Sequence, residues 1–185
     1  MRRFSFTVYI LVQAIFCFSQ DVDSTSVVVA KWSDTFHEWE FYSTPDAGSP
    51  CGELVMRWRQ NNDWTQWDYR MGEVTGEIRT EWPDRMDQWQ LTSNGELVTM
   101  KTRWPGDYSE WRVSDSVGEY IFSVENISRP EEWQVKYQKN RKFQVYTEFE
   151  EDLRSWLVFQ EGDVLKDETQ MALIFVTILS TVPKM

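Results

Sequence analysis

Indole rings are the side chains best placed to do chemistry in this sequence, and what they offer is stacking and apolar contact. Eleven of the 185 residues are Trp. Five of them, Trp32, Trp58, Trp64, Trp82 and Trp104, fall near Asp, Asn, Pro and Gly residues that read as loops. Aromatic platforms at loop ends stack on sugar rings or hold apolar ligands, so these five are the candidate binding residues.

Catalytic combinations are poorly served. His37 is the single histidine, so a Ser-His-Asp or Cys-His scheme would depend on it alone. It reads as an ordinary polar neighbour of a strand. One His and one Cys retained after the leader cannot supply the ligands of a zinc site. No Gly-rich phosphate loop is present, and no carboxylate pair stands out for glycoside hydrolysis. Asp34, Asp63, Asp84, Asp107 and Asp152 stand four or five residues before recurring Trp positions. Their expected role is turn formation through the side chain, because a calcium site needs several converging oxygens. The sequence thus predicts no enzyme, no cofactor and no metal.

The spacing of the other tryptophans says what must position these groups. Trp67, Trp89, Trp111 and Trp133 follow at steps of 22, Trp156 comes 23 later, and Trp39 sits 28 earlier. A period of this size marks repeat architecture. Two residues after each anchor stand Phe41, Tyr69, Leu91, Val113, Val135 and Val158. Three before stand Phe36, Trp64, Met86, Tyr108, Pro130 and Leu153, and seven before stand Trp32, Gln60, Trp82, Trp104, Asn126 and Phe149. Eleven before stand Val28, Met56, Ile78, Met100, Phe122 and Val145.

The unit around Trp89 shows what each repeat is. Residues 89–93 alternate apolar and polar, Asn94-Gly95 follows, and residues 96–104 alternate again. Asn-Gly is the strongest short hairpin signal, since both residues accept positive φ. A two-residue turn there pairs Ser93 with Glu96, Leu91 with Val98 and Trp89 with Met100, all on one face. The register set by the turn and the register demanded by burial agree. Gly118-Glu119, Gly52-Glu53 and Gly162-Asp163 sit near the equivalent point in other units, and Asn140-Arg141 replaces it in the fifth. At the opposite end, Trp82-Pro-Asp-Arg and Trp104-Pro-Gly-Asp predict wider loops, because Pro cannot donate to a ladder. The expected fold is all-β: an antiparallel meander of about six hairpin repeats, as an open curved sheet or a barrel.

Trp89 through Leu97, an aromatic before an Asn-Gly turn and a Gly-x-Leu return, resembles the MORN-like repeat families. Asp87, Ser109 and Glu131 stand where that pattern has Gly two residues before the aromatic. The resemblance implies an open meander sheet used for protein or lipid contact, and no catalytic residue.

Residues 171–182 break the pattern. Met171, Ile174, Phe175, Ile178, Leu179 and Val182 recur at helical spacing, Asp167 and Gln170 suggest a capping box, and Pro183 ends the run. The expectation is a helix over about 168–182, laid across the apolar face as its cover. Its β-branched content keeps a buried last strand as the alternative.

Met1-Arg2-Arg3 followed by an apolar run to Phe18 has the layout of a secretory leader, with Gln20 as the first mature residue. Residues 1–19 are therefore read as leader and 20–185 as one domain, secreted or periplasmic, with no membrane span. Lipidation at Cys17 is disfavoured by the bulky Phe16. Leader removal would leave Cys51 alone and an internal disulfide impossible. Asn126-Ile127-Ser128 matches the glycosylation pattern. The formal net charge of −11 disfavours nucleic acid and favours cationic or neutral partners. The reading is a secreted, non-catalytic binding or scaffold module for a protein or glycan. The alternative is a carrier holding an apolar small molecule between the Trp face and the helix, and a glycan-active enzyme ranks last.

Overall fold

The computed structural model describes residues 23–136 and 141–183. The expected leader (1–19), Cys17 and the expected Asn140 turn lie outside the described residues. Alternating segments form twelve strands: β1 (Asp23–Ala30), β2 (Glu38–Tyr42), β3 (Gly52–Trp58), β4 (Asp63–Met71), β5 (Val74–Thr80), β6 (Gln88–Ser93), β7 (Glu96–Trp104), β8 (Asp107–Ser114), β9 (Glu119–Asn126), β10 (Arg129–Lys136), β11 (Arg141–Thr147) and β12 (Ser155–Gly162). One helix, α1 (Asp167–Thr181), follows.

Each strand pairs antiparallel with its sequence neighbours, and β1 pairs with β12. The meander is therefore a closed barrel. Closure removes both sheet edges, which distinguishes it from the open sheet that the MORN-like resemblance implies. The Asn94-Gly95 turn has φ of 45° and 86°, as a type I′ turn requires. Around it Ser93 opposes Glu96, Leu91 opposes Val98 and Trp89 opposes Met100, the register expected from sequence. The connection after Trp104 differs from expectation. It is a two-residue turn, Pro105-Gly106, with Gly106 at φ 79° and Trp104 opposite Asp107. Gly106 lets the chain reverse directly after Pro105.

Period-two alternation sends one set of side chains into the lumen. Trp39, Trp67, Trp89, Trp111, Trp133 and Trp156 are fully buried there. So are Val28, Met56, Ile78, Met100, Phe122 and Val145, the residues eleven before the anchors. The outward set is polar and cross-paired: Arg57 with Asp68 and Glu77, Lys101 with Glu81, Arg112 with Glu119. A membrane-spanning barrel shows the reverse pattern. No helix among the described residues is long and apolar enough to cross a membrane.

The helix lies in the lumen. Eleven consecutive residues, Thr169–Leu179, are buried, whereas a helix lying on a surface exposes one side. The Phe175 ring sits 4.8 Å from Trp89 and 5.9 Å from Trp67, and Trp111 Nε1 donates to Ser180 Oγ at 2.9 Å. Twelve strands spaced about 4.8 Å apart and tilted about 40° close at a diameter of about 24 Å. Inward side chains narrow that to roughly the 10–12 Å width of one helix. The helix expected on the apolar face is present, and closure of the barrel encloses it as a plug.

Its capping differs from expectation too. The N-cap is Lys166, without a side-chain cap, and Gln170 donates instead to the Leu165 carbonyl at 2.9 Å. Lys166 Nζ donates to Glu96 Oε1 at 3.0 Å and Ser116 Oγ at 2.9 Å, and Thr169 donates to Asp115. These contacts fasten the start of α1 to the β6–β7 and β8–β9 turns. Val182 is extended before Pro183, which ends the helix. Cys51 is buried, with its Sγ 3.4 Å from the Phe41 carbonyl oxygen.

Ending the chain at Lys166 should leave a Trp-lined void and give an aggregating or expanded chain, read by size-exclusion chromatography. Phe175→Ala should cost about 3–5 kcal/mol in denaturant unfolding. A truncated chain that stays monomeric and equally stable would contradict the plug.

Candidate functional site

One end of the barrel carries the β1–β2, β3–β4, β5–β6, β7–β8, β9–β10 and β11–β12 connections. Its local structure is set by the anchor tryptophans. Five of the anchor indole N–H groups donate to the carbonyl three residues earlier: Trp39 to Phe36 at 2.9 Å, Trp67 to Trp64 at 2.9 Å, Trp89 to Met86 at 2.7 Å, Trp111 to Tyr108 at 3.1 Å, and Trp156 to Leu153 at 2.9 Å. Residues three apart on a regular strand face opposite sides. Register shifts between Met56 and Trp58, between Thr102 and Trp104, and between Arg129 and Trp133 break that rule here, as β-bulges do. The residue three before the anchor thereby turns inward as well. Phe36, Trp64 and Tyr108 pack on their anchors at 5.9, 5.4 and 5.8 Å between centroids.

The loop acids hold these bends. Asp63 Oδ1 accepts from Thr65 N at 2.9 Å, Asp107 Oδ1 from Ser109 N at 2.9 Å, and Asp152 Oδ1 from Arg154 N at 2.9 Å. The hydrogen bonds to Thr65 and to Ser109 hold the Asp63 and Asp107 carboxyls below the usual carboxylate range. Asp34 and Asp84 are exposed. Among the described residues no three His, Cys, Asp or Glu side chains converge as metal ligands would.

While the anchors turn in, a second set of apolar residues faces out. Trp32 is 49 % exposed, Trp58 51 %, Trp82 58 %, Trp104 62 %, Phe149 60 % and Ile127 79 %. Each of the six connections, counting the last residues of β3 and β7, contributes one of them. Four of the five tryptophans predicted as site residues thus belong to one rim. Trp64 is separate: it is buried against Trp67, and its Nε1 donates to Asn62 Oδ1 at 2.9 Å. His37 Nε2 meets the same Asn62 oxygen at 2.9 Å. Phe149 and Ile127 were missed as site residues. The signal for Phe149 lay in the column seven before the anchor, where Trp32, Trp82 and Trp104 also stand. Ile127 is offset from that column by one residue. Asn126 shares its turn and accepts from Ser128 N at 3.0 Å.

Charges surround the rim rings. Lys31 Nζ lies 5.6 Å from the Trp32 centroid, and Arg103 Cζ lies 5.8 Å from that of Trp104, both within cation–π range. Trp58 Nε1 donates to Gln66 Oε1 at 3.1 Å.

A groove of about 660 Å³ lies on the outer wall toward the other end, bordered by Arg57, Arg70, Glu77, Thr92 and Asn94. Its floor is Gly76, where a Cβ would run into the Tyr69 ring and the Thr92 carbonyl. Tyr69 crosses this gap with its hydroxyl buried and unbonded. Ser93 Oγ lies beside the phenol but donates to the Thr75 carbonyl at 2.9 Å. Burial raises the Tyr69 pKa to about 12.

Comparison with known protein families, characterised proteins and solved structures returns no match, so function is argued from this geometry alone.

Trp111→Phe should cost about 1–3 kcal/mol beyond its volume change, because the Tyr108 carbonyl and Ser180 lose their donor. Trp82→Ala, on the exposed rim, should stay within about 0.5 kcal/mol. Equal losses in urea unfolding would contradict the division between anchors and rim. Tyr69→Phe should be neutral or stabilising, since the hydroxyl has no partner to lose. The Tyr69 contribution is complete below the ordinary phenol pKa of 10 and is lost as pH rises through about 12. The variant should therefore unfold less steeply over that alkaline window.

Proposed function

We propose that the protein is a secreted, non-catalytic binding module that contacts a protein or glycan partner through the tryptophan rim. The observation that carries this reading is the six-fold placement of one exposed apolar residue per connection at a single end of a closed barrel. Exposed apolar residues gathered at one end of the barrel and interleaved with polar groups suit an interaction surface. The MORN-like rhythm fits the same use, as repeats present quasi-equivalent contacts along one surface. Isolated indoles beside carboxylates and amides suit sugar rings and side-chain planes alike.

The carrier alternative has less support. Phe175 lies directly against Trp89, and Ser180 accepts from Trp111, so an apolar ligand would enter only with α1 displaced. Export rests on the leader-like residues 1–19. Protein recovered from the culture medium should begin at Gln20, and recovery of chain that retains residues 1–19 would contradict that step.

Titration of intrinsic fluorescence with cellohexaose and chitohexaose tests the rim. A shift in emission that disappears in the Trp82→Ala/Trp104→Ala variant supports a glycan partner. No shift with either sugar removes those glycans and leaves the protein partner. A shift that survives in the double variant places the contact elsewhere and overturns the rim reading.

A further inference from the structure

We infer that the rim's partner is a basic protein segment whose Lys or Arg side chains settle over Trp82 and Phe149. This inference rests on the rim being the contact surface. Three aromatic rings at this end already carry a cation of the chain itself, and each cation is held by a carboxylate. Lys31 lies over Trp32 and 3.5 Å from Glu38. Arg103 lies over Trp104 and pairs with Glu110. Arg154 lies 5.2 Å over the Phe36 ring and 3.8 Å from Asp152. The local rule is carboxylate, cation, ring.

Trp82 and Phe149 are exposed rings with acidic neighbours in the chain and, among the described residues, no cation over them. Both rings are more than half exposed. Asp84 follows Trp82 by two residues and is exposed, Glu81 before it being paired with Lys101, and Glu148 and Glu150 flank Phe149 in the chain. Among the described residues no cation covers either ring. A cation brought by a partner would meet the ring face and a carboxylate together, the combination that makes such contacts favourable. The net charge of −11 adds long-range attraction for a basic partner. A neutral glycan would use the rings alone.

The barrel order sets the spacing. Trp82 lies between β5 and β6, and Phe149 between β11 and β12, so six of the twelve strands separate them either way round. They stand on opposite sides of a mouth about 24 Å across. An extended segment needs about seven residues or more to reach both.

The test is fluorescence anisotropy on the full chain with two labelled peptides. One is a dodecapeptide with two Arg at each end and a Gly-Ser centre, and the other is tetra-arginine, which is too short to span the mouth. The dodecapeptide should bind about tenfold more tightly. Trp82→Ala and Phe149→Ala should each weaken it about two- to fivefold, with thermal unfolding unchanged. Trp104→Ala, whose ring Arg103 already covers, should change it less than either. Equal affinity of the two peptides, or binding indifferent to both substitutions, would mean bulk charge attraction only and would overturn the inference. A rim-dependent shift with cellohexaose together with no peptide binding would overturn it while leaving the rim reading intact.

Discussion

The structure depends on one repeated contact, a buried indole N–H donating to the carbonyl three residues before it. An indole brings a large apolar area into a core together with a donor that must be paired. Pairing it locally lets each unit solve the problem alone, without a partner from another repeat. The bend that delivers the carbonyl also turns the preceding apolar side chain inward and leaves the strand end outside. The core at this end and the exposed rim are therefore two consequences of the same turn. Trp64 and Trp58 show this within one connection: six residues apart, one packs on Trp67 and the other faces solvent.

Closure follows from carrying that unit six times round. A sheet with one face made of indoles has no stable open form in water unless something covers it. Pairing β1 with β12 brings the apolar face to the inside, and α1 supplies the filling that twelve strands require. The outer wall is then free to be charged. Polar contacts lock the plug at both ends, through Lys166 and Thr169 at one and Ser180 at the other.

Much of this was legible in the sequence because it is periodic and local. The Asn94-Gly95 turn specified the register of β6 and β7, and the apolar columns identified the inward face. Closure was not legible, since pairing of the first and last strands leaves no mark on the period. Full burial of α1 was hidden for a related reason: Ala172, Leu173, Val176 and Thr177 suit a lumen as readily as a flank. Trp64 was grouped with the loop tryptophans because the bulge that turns it inward is not visible in alternation. The same bulge separates the rim residues from the core, so the site was readable as a set of candidates and only partly as a surface. Gln170 was read as a cap partner, and its pairing with the Leu165 carbonyl depends on how α1 enters the barrel.

Hydrogen exchange of the indole N–H protons, followed by NMR, addresses the repeated contact directly. The signals of Trp39, Trp67, Trp89, Trp111 and Trp156 should exchange only with global unfolding, while those of Trp32, Trp82 and Trp104 exchange at once. Anchor indoles that exchange as quickly as the rim would show that the local N–H to carbonyl pairing does not hold the barrel together.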